Sequence, residues 1–115
     1  MKNITLESFS YRKGLPNNHP DLTFDVRSLP DPYDNLQLRP LSGLDQPVQE
    51  FIAKQKAAQE LLLNIIQQIK SHPDAQIVAI GCTGGHHRSV AMVEMTAIKL
   101  RDLGYQVTIK HTNLF

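Results

Sequence analysis

The stretch that decides the fold is residues 77–89, IVAIGCTGGHHRS. Five mostly apolar, β-prone residues lead into a loop with two adjacent glycines, and a helical pattern follows. A strand that ends in this way directs backbone N–H groups, and the positive end of the next helix, at one spot. Gly84 and Gly85 let the backbone approach a ligand closely or take positive φ, and Arg88 adds a planar fork that fits phosphate or carboxylate. We therefore predict an anion site. The hydroxyls of its loop complete the candidate set, which is Thr83, Gly84, Gly85, Arg88 and Ser89.

Length and composition set the broad class of the protein. The 115 residues form one domain, residues 1–115, with 41% hydrophobic and 20% charged residues, which is typical of a globular protein. Lys and Arg number 12 against 11 Asp and Glu, so no overall field favours nucleic acid or an anionic membrane. The single cysteine cannot form an intrachain disulfide, and neither a signal peptide nor a membrane span is visible. We expect a cytoplasmic location.

The rest of the chain alternates strand and helix patterns around this stretch. We predict strands at residues 3–12, 22–29, 76–82 and 107–111, and amphipathic helices at residues 48–69 and 87–103. Asp45 suits the N-cap of the first helix, and Gly104 suits the C′ position of the second. Residues 30–47 form a long loop, of a kind that is usually functional or disordered. The order predicts a single α/β domain with a mainly parallel sheet of about four strands, two main helices and Rossmann-like layering in two or three layers.

A catalytic alternative uses the same loop. Cys82 and Arg88 are separated by five residues and followed by Ser89, which is the C-x5-R-[ST] spacing of cysteine-dependent phosphatases. A cysteine beside a helix N-terminus and an arginine has a lowered pKa and becomes a competent thiolate. The acid that protonates the leaving group would come from the long loop, where the candidates are Asp31, Asp34 and Asp45.

Three other interpretations of the loop are weaker. Adjacent histidines such as His86 and His87 diverge by about 100° on a helix, so both rarely reach one metal ion together with Cys82, and we predict no metal site. In a second interpretation the two glycines only make a tight turn beside a buried thiol, but bare turns seldom gather Thr, His, Arg and Ser. No G-x-x-x-x-G-K-[ST] pattern occurs in the 115 residues, which excludes a P-loop site within them.

Four blocks of sequence resemble a known family. Residues 80–90 (IGCTGGHHRSV), 8–16 (SFSYRKGLP), 24–33 (FDVRSLPDPY) and 38–48 (LRPLSGLDQPV) are similar, in the same order, to the C-terminal domain of the RapZ/YvcJ family. That family comprises RNase adapter and nucleotide-binding proteins. The resemblance extends over nearly the whole chain.

The resemblance implies a regulatory α/β module that oligomerises. In the enterobacterial adapter this domain senses glucosamine-6-phosphate and binds small RNAs, so a phosphorylated ligand, a homo-oligomer, and RNA or a regulatory protein are the partners it implies. With net charge +1 and no cluster of Lys and Arg, the chain itself gives little support to RNA binding. No cofactor is expected. The residues implied at the ligand are Thr83, Gly84, Gly85, His86, His87, Arg88, Ser89, Asp25, Arg27 and Arg39.

Some of these positions have a second interpretation. Asp25 and Arg27 are two residues apart in the sequence, so their side chains share one face of the predicted strand. There they could flank the pocket or merely form an ion pair at a sheet edge. Arg39 could clamp a ligand or lie on ordinary surface. Asp31 and Tyr33 stand where the family tends to show Asn and His or another aromatic residue, which bears on ligand choice.

Overall fold

The computed structural model describes residues 2–114, which fold into one parallel sheet and three α-helices. The elements in chain order are β1 (Asn3–Ser10), β2 (Leu22–Asp25), a 3-10 helix (Pro32–Asp34), α1 (Gln46–Ala53), α2 (Lys56–Ser71), β3 (Ile77–Cys82), α3 (Arg88–Asp102) and β4 (Gln106–His111). The strand order is β2-β3-β1-β4, and every neighbouring pair is parallel. The predicted α/β class and four-stranded parallel sheet are confirmed.

The helices all lie on one face of the sheet. In β1 and β3 the register pairs Leu6 with Val78, and both side chains are fully buried. They belong to one apolar cluster with Ile52 of α1, Ile65 of α2 and Met92 of α3. Because side chains alternate between the faces of a sheet, a shared cluster of this kind places all three helices on the same side. The layering is therefore one sheet covered by one layer of helices.

The predicted helix over residues 48–69 is wrong in one respect, because the structure divides it into α1 and α2. The break falls at Gln55, whose backbone is extended (φ −77°, ψ 127°). Ile52 before the break and Ala58 after it are both fully buried. Six positions of a continuous helix turn through about 600°, which would send these two side chains in different directions. Breaking the helix lets both of them face the same core.

Two strands are shorter than predicted. β1 ends at Ser10 and not at residue 12, since Lys13 and Gly14 both donate backbone hydrogen bonds to the Ser10 carbonyl and close a turn there. β2 ends at Asp25 and not at residue 29. Val26 still donates to the Gly81 carbonyl at 2.9 Å, after which the chain leaves the sheet. Both ends lie at the same edge of the sheet, where they position loop residues.

The ends of the helices agree with most of the expected caps. Gly104 has φ +94° immediately after the C-cap of α3, as a C′ glycine should. Asp45 is the N-cap of α1 by position, but its carboxylate accepts the Ser42 N–H (2.8 Å) and not an N–H of the helix. No helix within residues 2–114 is both long and apolar enough to cross a membrane.

Candidate anion-binding pocket

A cavity of about 550 Å³ opens at the carboxyl ends of β1 and β3. The two strands are neighbours with Ser10 paired to Cys82, so the segments that follow them emerge side by side. Three segments line the cavity: residues 10, 12 and 13 at the end of β1, residues 31, 33 and 39–41 in the long loop, and residues 82–84 and 86–88 from the end of β3 to the start of α3. Ligands of open α/β sheets bind at this edge. The predicted glycine loop therefore forms one wall of a real pocket.

The glycine loop is held in place from beneath. Ser10 donates its hydroxyl to the Thr83 carbonyl (2.6 Å), while its backbone N–H donates to Asn113 Oδ1 (2.8 Å). Gly85 has φ +72°, and a Cβ there would lie 3.0 Å from the Ser10 Cβ and 3.1 Å from the Asn113 Cβ. Both the backbone conformation and the close packing thus require glycine at position 85. The loop is a fixed cradle, supported by β1 and by the segment after β4.

Arg88 opens α3 and is buried, with 6% of its surface exposed. Its Nη1 donates to the carbonyls of Arg27 (2.7 Å) and Leu29 (3.1 Å), and its Nη2 lies 3.3 Å from Asp31 Oδ2. Its Nε is buried and has no hydrogen-bond partner among residues 2–114. The two Nη atoms thus hold the segment after β2 in place, while the Nε–H of this pocket-lining residue stays unpaired.

His87 repeats this pattern one residue earlier. Its side chain is 8% exposed and lines the pocket, and its Nε2 has no hydrogen-bond partner among the described residues. His86 also lines the pocket but is exposed. Buried polar nitrogens are nearly always paired in folded proteins. Two adjacent exceptions, His87 Nε2 and Arg88 Nε, on the wall of one cavity mark the place where an acceptor would bind.

The charge of the pocket is strongly biased. Its cationic side chains are Arg12, Lys13, Arg39 and Arg88, and its one carboxylate is Asp31. Arg12 and Lys13 were not predicted as site residues. They follow β1 directly, and β1 is the parallel neighbour of β3, so a prediction of which strands are adjacent would have found them. The arrangement suits an anion.

Comparison with known proteins agrees with this geometry. Residues 2–115 match the family model of the RapZ C-terminal domain. The chain belongs to this family. It is 41% identical over 116 residues to a nucleotide-binding protein of Neisseria gonorrhoeae, covering 94% of this chain and 40% of that protein. It is also 41% identical over 119 residues to a nucleotide-binding protein of Corynebacterium jeikeium and over 115 residues to one of Thermobifida fusca. These alignments cover 96% and 93% of the chain but 40% and 39% of those relatives, so the chain spans about two fifths of their length.

Four residues implied by the RapZ resemblance lie outside the pocket lining: Asp25, Arg27, Gly85 and Ser89. Asp25 and Arg27 form an ion pair. Arg27 Nη2 lies 2.7 Å from Asp25 Oδ2, and Arg27 Nε lies 3.0 Å from each carboxylate oxygen. The hydrogen bond from Arg27 is the main reason that the pKa of Asp25 lies below its ordinary value. The Arg27 guanidinium also stacks on the Tyr11 ring, 4.0 Å from its centroid. The pair braces the end of β2 beside the pocket, and Arg27 reaches Arg88 through its carbonyl.

The residues of the phosphatase alternative do come together. Cys82, Arg88 and Asp31 all line the pocket. The Cys82 thiol, however, is 2% exposed, donates to Ser89 Oγ at 3.2 Å and accepts the Gly85 N–H at 3.3 Å. Ser89 is fully buried and lies behind the pocket lining. Among residues 2–114 no group of three or more His, Cys, Asp and Glu side chains could hold a metal ion.

The outer wall of the pocket is built on the 3-10 helix. Asp31 caps this helix by accepting the Tyr33 N–H at 3.0 Å. Arg39 donates from Nε to the Tyr33 carbonyl (2.7 Å), and its guanidinium lies 4.4 Å from the centroid of the Tyr33 ring. The predicted Arg39 thus lines the pocket beside an exposed aromatic ring. Since Arg88 contacts Asp31, the outer wall is tied directly to the start of α3.

Proposed function

We propose that this domain binds a phosphorylated small ligand, an amino-sugar phosphate such as glucosamine-6-phosphate, and acts as a regulatory sensor without covalent chemistry. The observation that carries the proposal is the pair of buried, unpartnered nitrogens on the pocket wall, Arg88 Nε and His87 Nε2. A buried donor without a partner costs about 1–3 kcal/mol, and more when it is charged. Phosphate oxygens would remove that cost.

The surroundings of these nitrogens favour a dianion. They lie at the N-terminus of α3, a helix of 15 residues, where backbone N–H groups and the helix dipole attract negative charge. Arg12, Lys13 and Arg39 add positive charge around the cavity. Such a set of donors can hold phosphate without a metal ion. The remaining volume, with the Tyr33 ring on its outer wall, leaves room for a sugar.

The relatives are named nucleotide-binding proteins, and a nucleotide carries phosphate, as the proposed ligand does. Since the chain spans about two fifths of their length, their whole activity is not carried over here. A role in RNA binding, assembly into homo-oligomers and contact with a regulatory protein stay predictions from the resemblance.

Calorimetric titration of the domain with glucosamine-6-phosphate, and with glucosamine as the phosphate-free probe, tests the proposal. We expect binding of the first and not of the second. Arg12 lines the pocket, and no hydrogen bond or ion pair joins its side chain to another described residue, so Arg12→Gln should leave the fold unchanged. Losing one partly exposed charge contact should weaken binding about three- to tenfold.

Arg101→Gln is the matched control, because Arg101 is exposed near the far end of α3 and does not line the pocket. It should bind as the parent does. Equal affinity for glucosamine and its phosphate, or equal losses in the two variants, would contradict phosphate binding at this pocket.

A cysteine-dependent phosphatase is the second candidate, favoured by the presence of Cys82, Arg88 and Asp31 in one pocket. Against it, two nitrogens of Arg88 already contact protein acceptors, and the thiol is buried against Ser89. We expect no turnover of p-nitrophenyl phosphate by the parent, and unchanged binding of glucosamine-6-phosphate in Cys82→Ser. Turnover in the parent that disappears in Cys82→Ser would reverse this ranking.

A further inference from the structure

Asp31 is the one acidic side chain lining a pocket otherwise rich in cations. Its Oδ1 accepts the Tyr33 N–H at 3.0 Å, and its Oδ2 lies 3.3 Å from Arg88 Nη2. The side chain is 35% exposed. An ionised carboxylate has about four acceptor positions. The protein fills two of them, so the carboxylate can accept further hydrogen bonds from a molecule in the cavity.

The negative charge of Asp31 is not required by the local fold. An asparagine caps a helix as well as an aspartate does, so the 3-10 helix does not need the charge. Arg88 is held by the carbonyls of Arg27 and Leu29 at 2.7 and 3.1 Å, which are shorter contacts than the one to Asp31. A partly exposed ion pair with this longer spacing contributes little to stability.

The same charge opposes the binding of a simple phosphate ester. A carboxylate next to Arg88 repels the phosphate that would bind the Nε of that arginine, and it partly neutralises the guanidinium. A group that lowers affinity for one class of ligand improves selectivity when it attracts another class. The attraction here requires a cation on the ligand, close to its phosphate.

We propose that Asp31 is a specificity-determining residue, whose carboxylate accepts hydrogen bonds from the ammonium group of an amino-sugar phosphate and disfavours neutral sugar phosphates. The inference rests on the proposed function, since it assumes that the phosphate binds at His87 and Arg88. It adds the group on the protein that distinguishes an amino sugar from its hydroxyl analogue.

The test compares two probes, glucosamine-6-phosphate and glucose-6-phosphate, by calorimetry on the parent domain and on Asp31→Asn. We expect the parent to prefer the amino sugar by about tenfold, the size of one charge-assisted hydrogen bond. Asp31→Asn should lose most of that preference. Part of the change should come from weaker binding of the amino sugar, and part from tighter binding of glucose-6-phosphate, because the repulsion of the phosphate is removed.

Asp34→Asn is the matched control. Asp34 belongs to the same 3-10 helix, is exposed and does not line the pocket. It should keep the preference of the parent. A preference that survives in Asp31→Asn, or that falls equally in Asp34→Asn, overturns the inference. A parent that binds both probes equally overturns this inference alone, whereas a parent that binds neither overturns the proposed function together with it.

Discussion

Arg88→Ala is expected to weaken binding of glucosamine-6-phosphate at least about 100-fold and to lower the free energy of unfolding by about 2–4 kcal/mol. The loss of binding follows from the removal of the buried Nε–H to which we assign the phosphate, since it has no hydrogen-bond partner among the described residues. The loss of stability follows from the outer nitrogens, because the carbonyls of Arg27 and Leu29 would lose a charged donor.

Calorimetry and urea unfolding on the same preparations separate these two effects. Arg88→Lys keeps the positive charge but not the planar fork, so it should bind weakly and recover only part of the stability. Arg101→Ala, on the exposed part of the same helix, controls for loss of an arginine from α3. It removes only an exposed hydrogen bond to the Val107 carbonyl (3.0 Å), so it should leave binding unchanged and lower the free energy of unfolding by about 1 kcal/mol or less. If Arg88→Ala does not fold, the affinity of Arg88→Lys for glucosamine-6-phosphate tests the proposed phosphate site instead. Affinity equal to that of the parent in a folded Arg88 variant would rule out the proposed phosphate site.

The dual role of Arg88 also explains how a sensor could work in this fold. Arg88 contacts Asp31, and Asp31 caps the 3-10 helix that carries the outer wall of the pocket. A phosphate at Nε would bring negative charge next to the Asp31 carboxylate, which shares that guanidinium. If phosphate binds there as we propose, occupancy and the position of the outer wall would be coupled through this one side chain. The Arg88–Asp31 contact is partly buried, and the Tyr33 ring beside it is exposed.

The central part of the fold was predictable because its pattern is unambiguous. β3 is apolar on both faces, as an inner parallel strand must be, and the two glycines ended the predicted strand at the correct residue, Cys82. The helix after the loop was also placed correctly, since its pattern is long and Gly104 marks its end. A strand, a glycine turn and a helix in succession allow few other structures. The position of the anion loop followed from them.

Some boundaries of strands and helices could not be predicted, because the sequence pattern continues past the residue at which the element ends. Alternation of apolar and polar residues runs from Leu22 through Val26, and both β2 and the turn after it bury their apolar positions, so the pattern could not show that β2 ends at Asp25. The break at Gln55 left a clearer trace. The positions three and four residues after the buried Ile52 are Gln55 and Lys56, so the apolar face of the predicted helix is interrupted where the break falls.

The site was only partly predictable because strand order is a long-range property. Arg12 lies 70 residues before Cys82 in the chain, and only the pairing of β1 with β3 brings them to one cavity. Asp25 and Arg27 show the opposite case. Their spacing left two interpretations open, a place beside the pocket or an ion pair at a sheet edge, and only the structure shows that the ion pair forms and that Arg27 stacks on Tyr11.

Gly43→Ala is expected to lower the free energy of unfolding by about 3 kcal/mol, near the upper end for overpacking. Gly43 is buried where the long loop meets the start of α3, and its N–H donates to the His86 carbonyl at 2.8 Å. A Cβ at this position would lie 2.4 Å from the Ala91 nitrogen and 2.6 Å from the His87 carbonyl oxygen. These are backbone atoms of the first turn of α3, so no side-chain rotation relieves the clash. Urea unfolding measures the loss.

Gly84→Ala is the matched control, because a Cβ there would find its nearest neighbour at 3.9 Å, the Cδ2 of His86. It should change the free energy of unfolding by about 0.5 kcal/mol or less. The clash at position 43 pushes the long loop away from His87. Gly43→Ala should therefore also lose affinity for glucosamine-6-phosphate, even where the domain remains folded. A Gly43→Ala domain as stable as Gly84→Ala would show that the long loop does not pack on α3. The outer wall of the pocket would then have no fixed position, and selection by Asp31 would have no structural basis.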